Sequence, residues 1–375
     1  MAYFMVGGVY LPFWPLWLEQ WGLDAGEVGL FTALGIGIRV VAGLIIPALA
    51  DRLDARRHTI IACVLVGITV FVAQIWIRDK SLLLLATLAS GAAMAGISPI
   101  SEALGVAASR VYGFAYAPAR GLGSVGFLSA NLIVGALIAR TGPMIALWWI
   151  VGCLIVTGLL AVNHPGGRKV QGQIPPRMGE IGQLVLNPTF AIFVAALSFT
   201  QASHAVFYAY GTLHWASLGL SEARIGALWA AGVGTEVLFM VTIGGWVVHR
   251  LGAVGALTLS GVAGILRWGL MMTDPTGWLL WPLMAMHALT FAVGHLGAMA
   301  FIARAVPQRF GAAAQGAAAA MAAGLILSLG TMAAAALYPT LGGRTYGIGV
   351  AMSAIGVLIC WWLARAWHGQ RLAVE

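Results

Sequence analysis

Five charged residues stand inside long apolar stretches of this 375-residue chain. The chain as a whole is 61% hydrophobic and only 9% charged. A charged side chain at the centre of a bilayer costs on the order of 2.5–3.5 kcal/mol, so such residues usually pair with one another or line a hydrated path. We therefore expect the chemistry of this chain at these positions, which are Arg39, Glu102, Arg120, Glu236 and Arg267.

The composition excludes most other classes of protein. A net charge of +8 could indicate a nucleic-acid partner, but the basic residues are scattered over short loops and form no stripe, so we exclude nucleic acid. The three cysteines lie in separate apolar stretches without the spacing of a metal site, and we predict no bound metal. What remains is a multi-pass membrane protein. Its first apolar run lacks the basic start and cleavage site of a signal peptide, and we interpret it as a retained span.

Counting about 20 apolar residues for each bilayer crossing predicts twelve spanning helices. The predicted spans are about 2–18, 26–50, 58–77, 82–106, 116–139, 143–162, 188–213, 224–248, 253–273, 277–303, 310–338 and 344–366. A polar, proline-containing segment follows the sixth span. The chain is therefore expected to be all-α, with an N-terminal six-helix bundle at 1–163, a linker at 164–187 and a C-terminal six-helix bundle at 188–375.

The placement of lysine and arginine predicts the orientation in the membrane. Thirteen of the 20 basic residues collect on one side and five on the other, leaving Arg39 and Arg267 within the spans. The more basic side is expected to be cytoplasmic. Both termini and the linker are then cytoplasmic, in a membrane of the bacterial inner-membrane type.

A loop with an acid or histidine beside an arginine recurs six helices apart. Asp51-Arg52 follows the second predicted span and His249-Arg250 follows the eighth. Both loops fit a loose Gly-x-x-x-Asp-Arg-x-Gly frame with substitutions, among them Pro47 at the first glycine. We interpret Asp51, Arg52, His249 and Arg250 as gating loops; the alternative is an ordinary basic cytoplasmic loop.

These features resemble the major facilitator superfamily, and within it the phenylpropionate permease-like branch of proton symporters, which is related to lactose permease and nucleoside symporters. The resemblance implies two six-helix halves around a central cavity and solute transport by alternating access. It extends over nearly the whole chain. The stretches that carry it are 11–18, 98–104, 120–126, 201–208, 228–237, 266–269 and 287–299.

Glu236 and Arg267 are predicted to lie at the same depth. At 1.5 Å per helical residue, each is roughly 20 Å from the cytoplasmic end of its helix. Burial favours a neutral carboxyl and a nearby arginine favours the carboxylate, so a balance between the two suits a group that takes up and releases a proton. We predict that this pair couples transport to protons, with His287 or His295, two turns apart, joining the relay. A static ion pair is the alternative.

Glu102 and Arg120 form a second predicted pair, toward the cytoplasmic ends of consecutive spans. In the sugar-transporting relatives this position binds substrate, and an arginine here could instead hold a carboxylate through two bonds. An interfacial salt bridge is the alternative. Arg39 has no assigned acid and is a candidate for gripping a substrate anion. The other predicted substrate contacts are Trp14, Gln201, His204 and Tyr208.

We expect a secondary active transporter for proton-coupled uptake of a small organic solute, such as the aromatic carboxylate 3-phenylpropionate. A sugar or nucleoside proton symporter and a drug efflux transporter of the same fold remain alternatives. The sequence has no Walker motif, so the proton gradient is expected to drive transport without a cofactor. An enzyme or a channel is disfavoured because no catalytic cluster or ring of like charges is visible. The expected partners of this monomer are its substrate, protons and the lipid bilayer.

Overall fold

The computed structural model describes residues 1–162 and 178–373, and over those ranges it contains helices and turns but no β-strand. Long helices make up the first part of the chain. They are α1 (Ala2–Trp21), α2 (Ala25–Arg52), α3 (Arg56–Ala73), α4 (Lys80–Tyr112), α5 (Tyr116–Thr141) and α6 (Met144–Val162).

The second part begins with a short helix, α7 (Met178–Leu186), and its later helices are more often interrupted. Two π-helical segments, Ala288–Val293 and Ala320–Ile326, lie between α-helices. The remaining α-helices are α8 (Pro188–Ala202), α9 (Ala205–Ser217), α10 (Glu222–Thr242), α11 (Gly244–Met271), α12 (Leu280–Ala285), α13 (Gly294–Ala305), α14 (Gly311–Ala319), α15 (Leu327–Leu341) and α16 (Gly347–Ala366).

Each of the twelve predicted spans falls on helical structure. Among the described residues, ten helical stretches are long and apolar enough to cross a membrane. The last stretch, 308–366, has 59 residues, which is enough for the two crossings predicted there. The first predicted span coincides with α1, which has 20 residues. The all-α membrane architecture is thus confirmed.

The outward faces of the helices are as apolar as their packed faces. Ile45, Leu159 and Leu358 are between 58% and 63% exposed. Helices that are hydrophobic all round fit a hydrocarbon environment, because exposing large apolar surfaces to water is unfavourable. A bilayer is the medium that these faces fit.

Polar residues at the helix ends set where the helices begin. Asp24 caps α2 by accepting from the Glu27 main-chain N–H, and the Glu27 carboxylate accepts from the Asp24 N–H, both at 2.9 Å. Asp79 caps α4, and Asn187 caps α8. These caps satisfy the main-chain donors that a helix leaves free at its first turn.

The chain divides into two compact units. The first comprises 1–171 with 209–230, and the second comprises 172–208 with 231–375. The predicted bundle boundaries at 163 and 188 stay a prediction, and most of the predicted linker, residues 164–177, lies outside the described residues. In the first unit α1 packs on α5 and α6; in the second, α11 and α8 pack on α16.

Close helix packing in the first unit requires glycine at Gly8. A Cβ atom added there would lie 2.6 Å from the main-chain oxygen of Phe127 and 3.1 Å from the Ala130 Cβ. Small residues that let helix backbones approach are characteristic of membrane bundles. The contact fixes the close approach of α1 to α5.

Candidate functional site

In the second unit the side chain of Arg267, on α11, is fully buried. Its NH1 atom donates to the Thr290 hydroxyl at 2.9 Å and to Nδ1 of His287 at 3.2 Å. Its NH2 atom lies 3.6 Å from the Met284 sulfur. The hydrogen-bond partners of the guanidinium are thus neutral side chains, which is unusual for a buried charge.

Aromatic rings cover the faces of the same guanidinium. Its central carbon lies 4.6 Å from the ring centre of Trp268 and 5.2 Å from that of Phe207. Aromatic rings stabilise a desolvated cation by on the order of 2 kcal/mol. Together with the neutral hydrogen-bond partners, these rings hold the charge in place without an adjacent carboxylate.

Glu236, on α10, contacts the imidazole of His287 rather than the arginine. Its Oε2 atom lies 3.2 Å from Nε2 of His287, and the two side chains are 13% and 8% exposed. The other ring nitrogen of His287 faces Arg267. The structure therefore replaces the predicted direct pair of Glu236 with Arg267 by a chain in which His287 stands between acid and base. Counting residues along the helices did not predict this lateral arrangement.

His204 lies in the break between α8 and α9 and is fully buried. Its Nδ1 atom is 2.8 Å from the main-chain oxygen of Gln201, and its Nε2 atom is 3.1 Å from the Thr290 hydroxyl. Tyr208 stacks on its ring at 5.4 Å. The predicted substrate contacts Gln201, His204 and Tyr208 thus lie around the same buried network as Arg267.

The π-helical segment Ala288–Val293 brings further polar groups to this network. The main-chain oxygen of Thr290 accepts a hydrogen bond from the Ser260 hydroxyl at 2.7 Å and a longer one from Gln201 Nε2 at 3.5 Å. Phe291 stacks between His287 and His295, at 5.2 and 6.3 Å. The two histidines therefore share a face, as predicted, with an aromatic ring separating them.

The first unit brings Glu102 and Arg120 together, as the sequence predicted. Arg120 Nε donates to Glu102 Oε1 at 3.0 Å, and both side chains are partly exposed. The Arg120 guanidinium also lies 4.2 Å from the ring centre of Phe4. The pair lines a cavity of about 320 Å³, whose walls include Tyr3, Phe4, Ser98, Ser101, Phe114 and Tyr116.

Arg39 and Trp14 lie elsewhere in the first unit. Arg39, on α2, has an exposed side chain within electrostatic range of Tyr3 and Tyr10. Trp14 is 3% exposed and stacks on Tyr10 at 5.6 Å and on Trp17 at 4.4 Å. Trp14 is thus packed inside an aromatic cluster.

The two predicted gating loops have different contacts. Asp51 forms an ion pair with Arg56, at 2.5 Å. Its basic partner is therefore four residues beyond Arg52. In the second loop the guanidinium of Arg250, next to His249, lies 5.5 Å from the Trp246 ring centre. The two loops therefore share a sequence pattern, but their arginines contact different kinds of side chain.

Thr290 is a residue of this site that the sequence analysis did not predict. Threonine is uncharged, so a search for charged residues within apolar spans does not identify it. It lies three residues after His287, however, and residues three apart share a helix face. Listing polar residues on the face of His287 would have found it. Within 1–162 and 178–373 no group of three His, Cys, Asp or Glu residues is placed to hold a metal ion.

Comparison with known proteins supports a transporter. The chain is 28% identical over 309 residues to the Probable 3-phenylpropionic acid transporter of Escherichia coli (strain K12), covering 80% of both chains. It is 27% identical over 177 residues to the Lactose permease of Citrobacter freundii, covering 44% of this chain and 42% of that protein. The solved structure of the nucleoside transporter NupG superposes with a TM-score of 0.80 at 19% identity, over 97% of this chain and 96% of that one.

The related proteins are transporters, so the expectation that this chain is not an enzyme is confirmed. The superposition on the NupG structure, with a TM-score of 0.80 over 97% of this chain, also confirms the fold inferred from the sequence. The family profile described as "MFS_1 like family" matches residues 1–346. The chain therefore belongs to the MFS_1 like family of the major facilitator superfamily and is a multi-pass membrane transporter.

Proposed function

We propose that this chain takes up a small aromatic carboxylate, with 3-phenylpropionate as the first candidate, together with a proton. The observation that carries the proposal is the buried contact between Glu236 and His287, which joins the carboxylate to a buried arginine. Ionisable residues within the membrane commonly mark proton and substrate pathways. The relative named a probable 3-phenylpropionic acid transporter supports the choice of substrate.

The charge balance among Glu236, His287 and Arg267, which contact one another in that order, couples proton uptake to transport. An ionised Glu236 compensates the charge of Arg267 through the neutral imidazole between them. A proton on Glu236 removes that compensation and leaves a net positive charge within the helices. Such a charge is expensive at membrane depth, so protonation must be linked to another event that restores the balance, such as binding an anion or changing conformation.

The Glu102 and Arg120 pair supplies the proposed substrate contacts in the first unit. Arg120 contacts Glu102 through Nε, which leaves the two terminal nitrogens as a fork for a substrate carboxylate. The aromatic walls of the adjoining cavity, including Phe4 and Tyr116, suit a phenyl ring. We propose Arg39 as a further attraction for the anion, because it is exposed on α2.

The orientation and assembly state belong to the same proposal. The excess of basic residues on one side supports cytoplasmic termini in a bacterial inner membrane. We propose a monomer with a cytoplasmic linker between two six-helix bundles. Cysteines introduced at exposed Arg344 and Arg371 test the orientation: a membrane-impermeant thiol reagent applied to whole cells should label only the former.

Proteoliposomes with an imposed pH gradient test the function. Labelled 3-phenylpropionate should accumulate when the outside is acidic, and collapse of the gradient with an ionophore should abolish accumulation. Unlabelled 3-phenylpropionate should compete, whereas uncharged 3-phenylpropionamide, of nearly the same shape, should not. Competition by lactose or by nucleosides instead would reject the carboxylate and favour a sugar or nucleoside symporter.

A further inference from the structure

The hydrogen-bonding role of Arg267 in the buried network is fixed by chemistry. A guanidinium carries donors only and no acceptor. Its NH1 atom has two hydrogens, and the structure directs one to His287 and the other to Thr290. Every hydrogen bond next to Arg267 must therefore point away from it.

The proton position on His287 follows from that direction. Because Arg267 donates to Nδ1, that nitrogen must be the acceptor and cannot carry a hydrogen. A neutral His287 then carries its hydrogen on Nε2, which faces Glu236 Oε2. Glu236 is thus the acceptor at the end of this branch.

The second branch runs through the hydroxyl of Thr290 to His204. The main-chain oxygen of Gln201 can only accept, so Nδ1 of His204 must carry the hydrogen. A neutral His204 therefore accepts at Nε2, and the donor is the Thr290 hydroxyl. The Thr290 hydroxyl oxygen accepts a hydrogen bond from Arg267, and its single hydrogen is donated to His204.

We propose that Thr290 is a positioning residue for proton coupling, which together with Arg267 holds His204 and His287 neutral in opposite tautomers and leaves Glu236 as the proton acceptor. A second proton on His287 would have to enter at Nδ1, where Arg267 already donates. A second proton on His204 would have to enter at Nε2, where the Thr290 hydroxyl already donates. An incoming proton adds to the Glu236 carboxylate, and His287 Nε2–H can still donate to the carbonyl oxygen of the resulting acid.

Titratable groups around the network come from several helices. Glu236 is on α10, Arg267 is on α11, and His295 is on α13, two residues beyond the π segment. Tyr208, on α9, and Tyr346, which stacks on Trp268, lie within electrostatic range of Arg267. Arg267 is the cation of this set, and its charge opposes a second cation on either neighbouring histidine.

The tautomers are measured directly by ¹⁵N NMR of histidine-labelled protein in lipid nanodiscs at neutral pH, without substrate or gradient. Single variants H204Q and H287Q serve only to assign the signals. We expect His287 to carry its hydrogen on Nε2 and His204 on Nδ1. Identical tautomers, or a doubly protonated ring at either position, would overturn the proposal.

Transport by T290V and T290S tests the role of the hydroxyl. Valine keeps the shape and removes the hydroxyl, and serine restores it. We expect T290V to lose about tenfold in gradient-driven accumulation and to change the pH profile of uptake, because two buried partners lose their bond. T290S should restore both accumulation and pH profile.

This inference rests on the proposed proton coupling, but the two can fail separately. Wild-type protein that does not respond to a pH gradient would reject the coupling while leaving the NMR result standing. An unchanged pH profile in T290V with wild-type accumulation would reject the role of Thr290 alone. If T290V does not fold in detergent, T290S and the wild-type tautomers still decide: a T290S pH profile unlike the wild type, or tautomers other than those stated, would overturn the proposal.

Discussion

His287 faces Glu236 with one ring nitrogen, at 3.2 Å, and Arg267 with the other, also at 3.2 Å. The imidazole therefore lies between the acid and the base and contacts both. Removing either neighbour changes what the ring can donate or accept. The consequences for transport and stability can be measured for each residue in turn.

Replacement of Glu236 by glutamine should separate proton coupling from substrate movement. The amide retains the size and the acceptor oxygen but cannot take up a proton. We expect gradient-driven accumulation to fall to background and counterflow exchange to continue. Both are measured in the same proteoliposomes. Full accumulation by E236Q would remove Glu236 from the proton path.

Replacement of Arg267 by lysine should be damaging although the charge is kept. Lysine has three donors on a compact, tetrahedral nitrogen, so it cannot reproduce the fixed planar geometry with which the guanidinium meets His287 and Thr290. Leaving buried acceptors without a donor costs about 1–3 kcal/mol. We expect a lower thermal unfolding midpoint in detergent and loss of accumulation. R344K, at an exposed position, is the matched control and should unfold like the wild type; a normal midpoint for R267K would contradict the described contacts.

Replacement of Arg120 by lysine should distinguish a substrate site from a structural salt bridge. Lysine can still pair with Glu102 but cannot form a fork with a substrate carboxylate. We expect the KM for 3-phenylpropionate to rise about tenfold, since a charge-assisted bond contributes about 1.5–3 kcal/mol. R140K, also exposed, provides the control. An unchanged KM for R120K would favour the interfacial salt bridge.

Alanine at Gly8 should destabilise the first unit, whereas alanine at Gly7 should not. A Cβ atom on Gly8 meets the Phe127 main-chain oxygen at 2.6 Å, but one on Gly7 lies 3.8 Å from the Phe127 ring, an ordinary contact. Forcing helices apart costs about 1–3 kcal/mol. Thermal unfolding of both variants in detergent provides the comparison. Equal midpoints would show that α1 and α5 are not packed as closely as described.

Much of the architecture was predictable because hydropathy reports directly on what a bilayer accepts. The lengths of the spans and the contact between Glu102 and Arg120 both follow from counting residues along helices. The same counting predicted similar depths for Glu236 and Arg267 but not the direction in which each side chain points. That direction depends on how α10 and α11 are rotated about their axes, which counting along the chain does not give.

The placement of His287 between Glu236 and Arg267 was therefore beyond the sequence pattern. Two residues at one depth can be neighbours or can be separated by a third side chain, and only packing decides. Thr290 was missed for a different reason, since a neutral hydroxyl gives no electrostatic signal. Its importance comes from the donor-only chemistry of Arg267, which becomes visible once the two are in contact.

The π segment Ala288–Val293 also sets the angular relationship between the two halves of its helix. Deleting one residue within it would allow ordinary α-helical turns to form, and the part beyond would rotate by about 100° relative to the part before. His295 would then leave the face it shares with His287, while every side chain in the helix kept its chemical identity. A single-residue deletion here would thus rotate one part of the helix relative to the other, changing which side chains are in contact without changing which side chains are present.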